Sequence, residues 1–322
     1  MSPEFNLIAK YFTRAAPQAD LGVGDDAALV RVAEGCQLAV STDMLVSDTH
    51  FFADAVPYDI GWKALAVNIS DMAAMGAQPK WTTLAIALPE VNDSWLGEFS
   101  RGFFACADAF KIGLIGGDTT HGALNISVTI MGEVAAGKAL RRDGAKIGDD
   151  IWVSGAVGDA ALGLAHLQDK LHGNFNLDDG YIEYCLNALH RPQPRAALGL
   201  ALVGLAHSAV DISDGLLSDL GHILKASNVG AEIQLNKLPC SLFISKHLHE
   251  KQIQQCVLAG GDDYELCFTA PQVMREKIEK ISVELALPIT LAGNIHKGAG
   301  LLVLDENNEP ISIEKIGYDH FT

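Results

Sequence analysis

Apolar positions along this 322-residue chain fall into short runs whose period changes from segment to segment. Leu38–Val46, Trp81–Leu88 and Leu124–Val134 are nearly continuous apolar, β-prone runs, which predicts strands. Between the first two, Trp62, Leu65, Ile69, Met72 and Ala73 recur at helical spacing. They predict a helix over Tyr58–Met75, and Pro57 suits its start. Asn68 and Asp71 lie three apart and project from one edge of that helix. Leu96–Phe110 predicts a second helix that ends before Gly113.

The polar segment Asp143–Asp150, with Gly144 and Gly148, marks a boundary. It divides the chain into a first domain over residues 1–140 and a second over 148–322. A strand opens the second at Ile151–Gly155, followed by a helix over Asp159–Leu167, a polar loop near Asp169–Asp179 and a helix over Gly180–His190. Arg191-Pro192-Gln193-Pro194 breaks the pattern. Ala196–Val210 is the longest apolar stretch, too short to span a bilayer, and reads as a buried helix or helix-turn. Ala209–Ile212 reads as a short strand feeding a helix over Gly215–Ala226, with Ser213 or Asp214 as its N-cap. Strands near Glu232–Leu235, Tyr264–Phe268 and Leu301–Leu304 complete an α/β half.

Acidic residues beside glycine or serine punctuate these runs. They are Gly24-Asp25-Asp26, Ser41-Thr42-Asp43, Ser70-Asp71, Gly116-Gly117-Asp118, Asp211-Ile212-Ser213-Asp214-Gly215 and Gly260-Gly261-Asp262-Asp263. The order of these corners in the two halves hints at an internal duplication, although motifs this short also recur by chance. Carboxylates at strand ends cannot gather without a compensating cation, because like charges raise each other's pKa. Carboxylate and hydroxyl oxygens suit a hard cation, magnesium above all, which usually shares its coordination with substrate phosphates. An ATP-using enzyme is the expectation.

Composition narrows this further. A net charge of −17 argues against nucleic acid and against an anionic membrane surface as partners. An acidic chain that handles phosphates needs positive charge from elsewhere, and bound metal supplies it. Six cysteines form no CxxC pair, which argues against zinc. The opening Met1-Ser2-Pro3-Glu4 lacks a basic apolar leader, so the expectation is a cytoplasmic protein with reduced thiols.

Each motif also has a plainer reading. Gly22-Val23-Gly24-Asp25-Asp26-Ala27 fits a dinucleotide fingerprint superficially, but two aspartates would repel a pyrophosphate, and a metal-binding or simply solvated turn remains. No GxxxxGK[ST] sequence occurs, which excludes a P-loop. Ser41-Thr42-Asp43 is a site or a strand-end cap. Asp71 inside an apolar helix requires a partner or exposure. Gly116-Gly117-Asp118 is a turn, or a backbone approach to a phosphate. Asp211–Gly215 is the sharpest signal. The following helix offers free N–H groups and a positive dipole end, against simple capping by Asp214. Arg141-Arg142 is a phosphate clamp or a solvated pair, and His50 follows the Ser41–Asp43 strand closely enough to join its site.

Taken in order, the motifs resemble the thiamine-monophosphate kinase family, within the superfamily of aminoimidazole-ribonucleotide synthetase. The likeness runs through Gly22–Ala27, Ser41–Leu45, His50-Phe51, Lys63–Ala77, Gly116–Thr119, Gly148–Gly155, Asp211–Leu216, Gly260–Leu266 and Gly317–Phe321. It implies an α/β (α+β) two-domain synthetase-like fold, with N-terminal sheets joined into a barrel across a homodimer and a C-terminal α/β domain completing each ATP site. It implies transfer of the γ-phosphoryl of ATP to thiamine monophosphate. Carried over by motif, Asp26, Ser41, Thr42, Asp43, Asp71, Asp118, Asp211 and Asp214 correspond to magnesium ligands. Gly117, Asp118, Arg142 and Ser213 correspond to ATP contacts, and His50, Asp262 and Tyr318 to contacts with thiamine monophosphate. At Asp262 the family more often carries glutamate. No general base is implied. Two alternatives stand beside this reading. One is another ATP-dependent synthetase of the superfamily. The other is a non-enzymatic acidic calcium-binding protein, although no DxDxDG loop occurs.

Overall fold

The computed structural model describes residues 3–171, 177–313 and 316–318. The middle of the loop expected at Asp169–Asp179, and Asp319, His320 and Phe321 of the last motif, lie outside the described residues. The chain forms two compact units, one of Met1–Met72 with Ala77–Gly137, the other of Ala73–Gly76 with the chain from Lys138 onward. Among the described residues no helix is long and apolar enough to cross a membrane.

The first unit contains α1 (Pro3–Tyr11), β1 (Cys36–Val46), α2 (Pro57–Ala74), β2 (Gln78–Leu88), α3 (Asp93–Phe110), β3 (Gly113–His121) and β4 (Asn125–Ala135). The last two residues of α2 belong to the other unit. The strands form one open sheet in the order β1-β4-β2-β3, antiparallel except for the parallel β2–β3 pair. Its two faces differ sharply. Leu45, Leu84, Ile86, Ile126, Val128 and Ile130 are buried on the side that α2 covers. The other side carries Val40, Thr42, Met44, Ala85, Ser127, Thr129 and Asp118, all exposed or half-exposed. Strand alternation produces this split. The sequence pattern missed β3, because paired glycines followed by Asp118, Thr119 and Thr120 look like a turn, not a strand.

The second unit contains β5 (Asp149–Ser154), α4 (Asp159–Leu167), α5 (Asp179–His190), α6 (Ala196–Leu202), β6 (Ser208–Asp211), α7 (Leu216–Ser227), β7 (Gly230–Gln234), α8 (Leu242–His247), α9 (Lys251–Ala259), β8 (Leu266–Pro271), α10 (Arg275–Glu284), β9 (Ile289–His296) and β10 (Gly300–Leu304). Six strands pair in the order β10-β7-β9-β5-β8-β6, mixed in direction. Strands β5 and β8 and the edge strand β6 are buried on both faces, as a sheet with helices on each side requires. Ile151, Val153 and Val210 pack with α4, α7 and α9; Trp152, Ala209 and Phe268 pack with α6 and α10. The apolar stretch Ala196–Val210 is thus a short helix, a turn and part of a strand. All six cysteines are free.

Candidate active site

In the first unit, α2 and β1 are clasped by polar groups. Ser41 Oγ donates to Asp71 Oδ2 at 2.5 Å, and the Asp43 N–H donates to Asn68 Oδ1 at 3.2 Å. Asn68 is itself held by its Nδ2, which donates to the Ala64 carbonyl at 3.0 Å. The three-residue spacing of Asn68 and Asp71 therefore reaches two alternate residues of one strand. Thr42 points the other way and meets the Thr129 hydroxyl at 2.8 Å, on the face that also carries Asp118. So the side chains of Ser41 and Thr42 leave β1 on opposite sides.

Gly117 precedes Asp118 in β3 with φ +155°, and a Cβ there would stand 1.9 Å from the Leu84 carbonyl oxygen. The glycine is required by the neighbouring strand's backbone. Asp26 is exposed, and its N–H bonds to the Asp25 carboxylate at 2.9 Å. His50 Nδ1 accepts the Val46 N–H at 3.0 Å, which fixes the ring against the end of β1 and leaves Nδ1 without a proton.

In the second unit, the end of β6 carries Asp211, and the turn before α7 carries Ser213 and Asp214. The expected cap differs from the one found. Neither Ser213 nor Asp214 caps α7; Gly215 stands at the cap position and makes no side-chain bond. The three N–H groups leading into the helix are occupied by a side chain further on. Asp219, one turn into α7 and 3% exposed, accepts from Ser213, Asp214 and Gly215 at 3.0, 3.1 and 3.1 Å through a single oxygen. Burial, reinforced by nearby Asp211 and Asp214, pushes the Asp219 carboxyl up to about 7.

The carbonyls of the same turn are also taken. Tyr264 N–H donates to Ile212 at 2.8 Å, Asp262 N–H to Ser213 at 2.9 Å, and Tyr318 N–H to Asp214 at 3.0 Å. Asp262 and Tyr264 adopt left-handed φ of 69° and 50°, and the Tyr264 hydroxyl donates to the Asp262 carboxylate at 3.2 Å. A Cβ on Gly261 would lie 2.4 Å from the Ser213 carbonyl oxygen, so only glycine lets this strand of chain lie against the turn. The neighbouring Asp263 accepts the Gly158 N–H at 3.0 Å and holds the start of α4. Arg141 forks onto Asp143 at 2.8 and 2.7 Å, whereas Arg142, exposed in the next turn, has no acidic partner among the described residues.

Comparison with known proteins decides the family. The model described as AIR synthase related protein, N-terminal domain, matches residues 24–134, and that described as AIR synthase related protein, C-terminal domain, matches residues 146–307. The chain is 46% identical to thiamine-monophosphate kinase of Escherichia coli (strain K12), over 99% of this chain and 98% of that one. The chain belongs to the thiamine-monophosphate kinase family. Among solved structures, it superposes on a thiamine-monophosphate kinase from Stenotrophomonas maltophilia K279a with TM-score 0.84 and 47% identity, covering 95% of this chain and 96% of that one. A further family structure, AaThiL complexed with AMPPCP and TMP, gives TM-score 0.77 at 30% identity, covering 98% of this chain and 96% of that one.

Within this family frame the structure gathers some of the expected residues and separates others. Ser41 and Asp71 form one group in the first unit. Ser213, Asp214, Asp262 and Tyr318 form one backbone-linked group in the second. Of the expected metal donors, Asp26, Ser41, Thr42, Asp43, Asp71 and Asp118 lie in the first unit and Asp211 and Asp214 in the second. Among the described residues, no three acidic, histidine or cysteine side chains already converge in a metal-holding arrangement. The donor chemistry nevertheless fits magnesium. Every candidate is an oxygen donor, and Asp211 and Asp214 add to the burial that raises the Asp219 carboxyl, a repulsion a cation relieves. Asp219 was missed from sequence. Its signal is its place within the buried stripe of Leu216, Leu220, Ile223 and Leu224, where a carboxylate demands local N–H donors.

Proposed function

We propose that this chain transfers the γ-phosphoryl group of ATP directly to the phosphate of thiamine monophosphate, giving thiamine diphosphate and ADP. The bond between the γ-phosphorus and its bridging oxygen breaks while a bond to an acceptor phosphate oxygen forms. Full-length membership of the family carries the assignment. The backbone bonds from Asp262 and Tyr318 to the Ser213–Asp214 turn support it, because they tie the proposed acceptor contacts to the proposed nucleotide corner.

Asp26, Ser41, Thr42, Asp43, Asp71, Asp118, Asp211 and Asp214 are the proposed magnesium donors, with Ser41 and Thr42 serving different sides of β1. When bound, magnesium ions screen the repulsion between two anionic phosphates. Gly117, Asp118, Arg142 and Ser213 meet the nucleotide, and Arg142 offers it a guanidinium not claimed by an acid among the described residues. His50, Asp262 and Tyr318 orient thiamine monophosphate. No residue acts as a base, since a phosphate monoester with its second pKa near ~6 is already largely dianionic at pH 7. The protein's work is positioning.

The chain acts as a homodimer in the cytoplasm, where ATP is available. The first unit binds metal and dimerises, and the second completes the site. The uncovered face of the first sheet, with Val40 at 57% and Met44 at 54% exposure, supports closure of a barrel against a second copy. One incubation with ATP and magnesium tests the activity, with thiamine monophosphate and free thiamine as parallel acceptors. Thiamine diphosphate and ADP are expected from the first acceptor alone. Diphosphate formed from free thiamine would reassign the chain as a pyrophosphokinase.

A further inference from the structure

Three consecutive N–H groups in a turn leading into a helix ordinarily make an anion-binding nest, because they converge near the helix's positive end. The β6–α7 turn has that arrangement, yet its N–H groups at 213, 214 and 215 all point at one oxygen of Asp219. The remaining backbone is equally committed. The Ile212 N–H donates to the Glu265 carbonyl at 2.8 Å, and the Asp219 N–H donates back to the Gly215 carbonyl at 3.0 Å. With the bonds from Tyr264, Asp262 and Tyr318, every N–H and C=O from Ile212 to Asp214, and both groups of Gly215, have protein partners.

We propose that Asp219 is a positioning residue that makes this turn select a cation rather than an anion. Its carboxylate occupies the nest where a phosphate oxygen would bind. When ionised it also adds negative charge beside Asp211 and Asp214, a state that a bound cation favours. The nucleotide then meets the turn only through side chains and through the cation those side chains recruit. The inference rests on the assignment of Asp211, Ser213 and Asp214 to the nucleotide–metal corner.

The experiment compares the full-length wild type with Asp219→Ala and Asp219→Asn. Manganese binding in the presence of ADP is followed by electron paramagnetic resonance, and inorganic phosphate binding to the metal-free protein by calorimetry. Asp219→Ala is expected to weaken manganese binding by at least about tenfold, the size of one lost charge-assisted interaction, and to gain phosphate binding that the wild type lacks. Asp219→Asn keeps an accepting oxygen but loses the charge, so manganese should weaken by at least about threefold while the nest stays closed to phosphate. Wild-type manganese affinity in Asp219→Ala would overturn the proposal even if melting temperature falls, because the residue would then serve the fold alone. If Asp219→Ala does not fold, Asp219→Asn decides: unchanged manganese affinity overturns the proposal. A wild type that binds no manganese with ADP overturns the underlying site assignment instead.

Discussion

The Tyr318 backbone N–H donates to the Asp214 carbonyl at 3.0 Å, joining the last described residue of the chain to the turn after β6. Gly317 makes the junction possible, since a Cβ there would stand 2.6 Å from Ser218 Cβ and 3.0 Å from the Asp214 carbonyl oxygen. Gly317→Ala should therefore displace Tyr318. Steady-state kinetics should show KM for thiamine monophosphate rising by roughly fivefold or more, with KM for ATP moving less. Equal rises in both would mean that the tie serves the nucleotide corner, not the acceptor.

Asp71→Asn and Asp211→Asn should each remove most turnover while the protein stays folded. Asp71 carries the Ser41 bond and Asp211 is 4% exposed at the end of β6, so both carboxylates are held in place before any ligand arrives. Circular dichroism and activity measured against magnesium concentration test this. Near-normal turnover at low magnesium in either variant would remove that residue from the metal set.

His50→Asn should weaken thiamine monophosphate binding but keep kcat at saturation within about tenfold, less than the ~10²–10⁴-fold typical of a lost acid–base group. The ring already uses Nδ1 to accept the Val46 N–H, which suits orientation. The acidic limb of the kcat profile should stay where it is, because the bound phosphate titrates there. A thousandfold loss with that limb abolished would restore a proton-transfer role.

Gly117→Ala should cost about 3 kcal/mol or more, since it adds a Cβ against the Leu84 carbonyl at a φ that side chains rarely adopt. Chemical denaturation would measure it. A loss below about 1 kcal/mol would show that β3 can move away from β2 cheaply.

Val40→Arg places a charge on the uncovered face of the first sheet and should shift the protein towards monomer in light scattering, with activity falling in parallel. A variant that remains dimeric at micromolar concentration would move the interface elsewhere.

Much of the fold was legible because its cause is local. The helix over Tyr58–Met75 and the strand at Leu38–Val46 follow from periodicity, and the Asn68–Asp71 spacing put both residues on one helix edge, which the structure shows meeting β1. Strand β3 was not legible, because Gly117 answers to a carbonyl on a neighbouring strand that sequence does not place beside it. The α7 cap misled for a related reason. Ser213 and Asp214 are good cap residues by type, but α7 starts one residue further on, at a Gly215 cap, and a buried acid inside the helix holds the turn through the N–H groups of 213, 214 and 215. Of the two aspartates in Gly260-Gly261-Asp262-Asp263, composition alone could not say that Asp263 turns to Gly158 while Asp262 lies beside Ser213.

The fully bonded backbone of the β6–α7 turn also bears on how small molecules would engage it. A compound designed as a phosphate mimic, with sulfonate or carboxylate groups seeking main-chain donors, finds none to spare between residues 213 and 215. Compounds bearing an amine or guanidine for the Asp214 side chain, or a metal-chelating group, match what the turn leaves exposed. Potency gained through such groups should weaken as magnesium rises for the former and strengthen for the latter, which gives medicinal chemistry a simple way to tell the two binding modes apart.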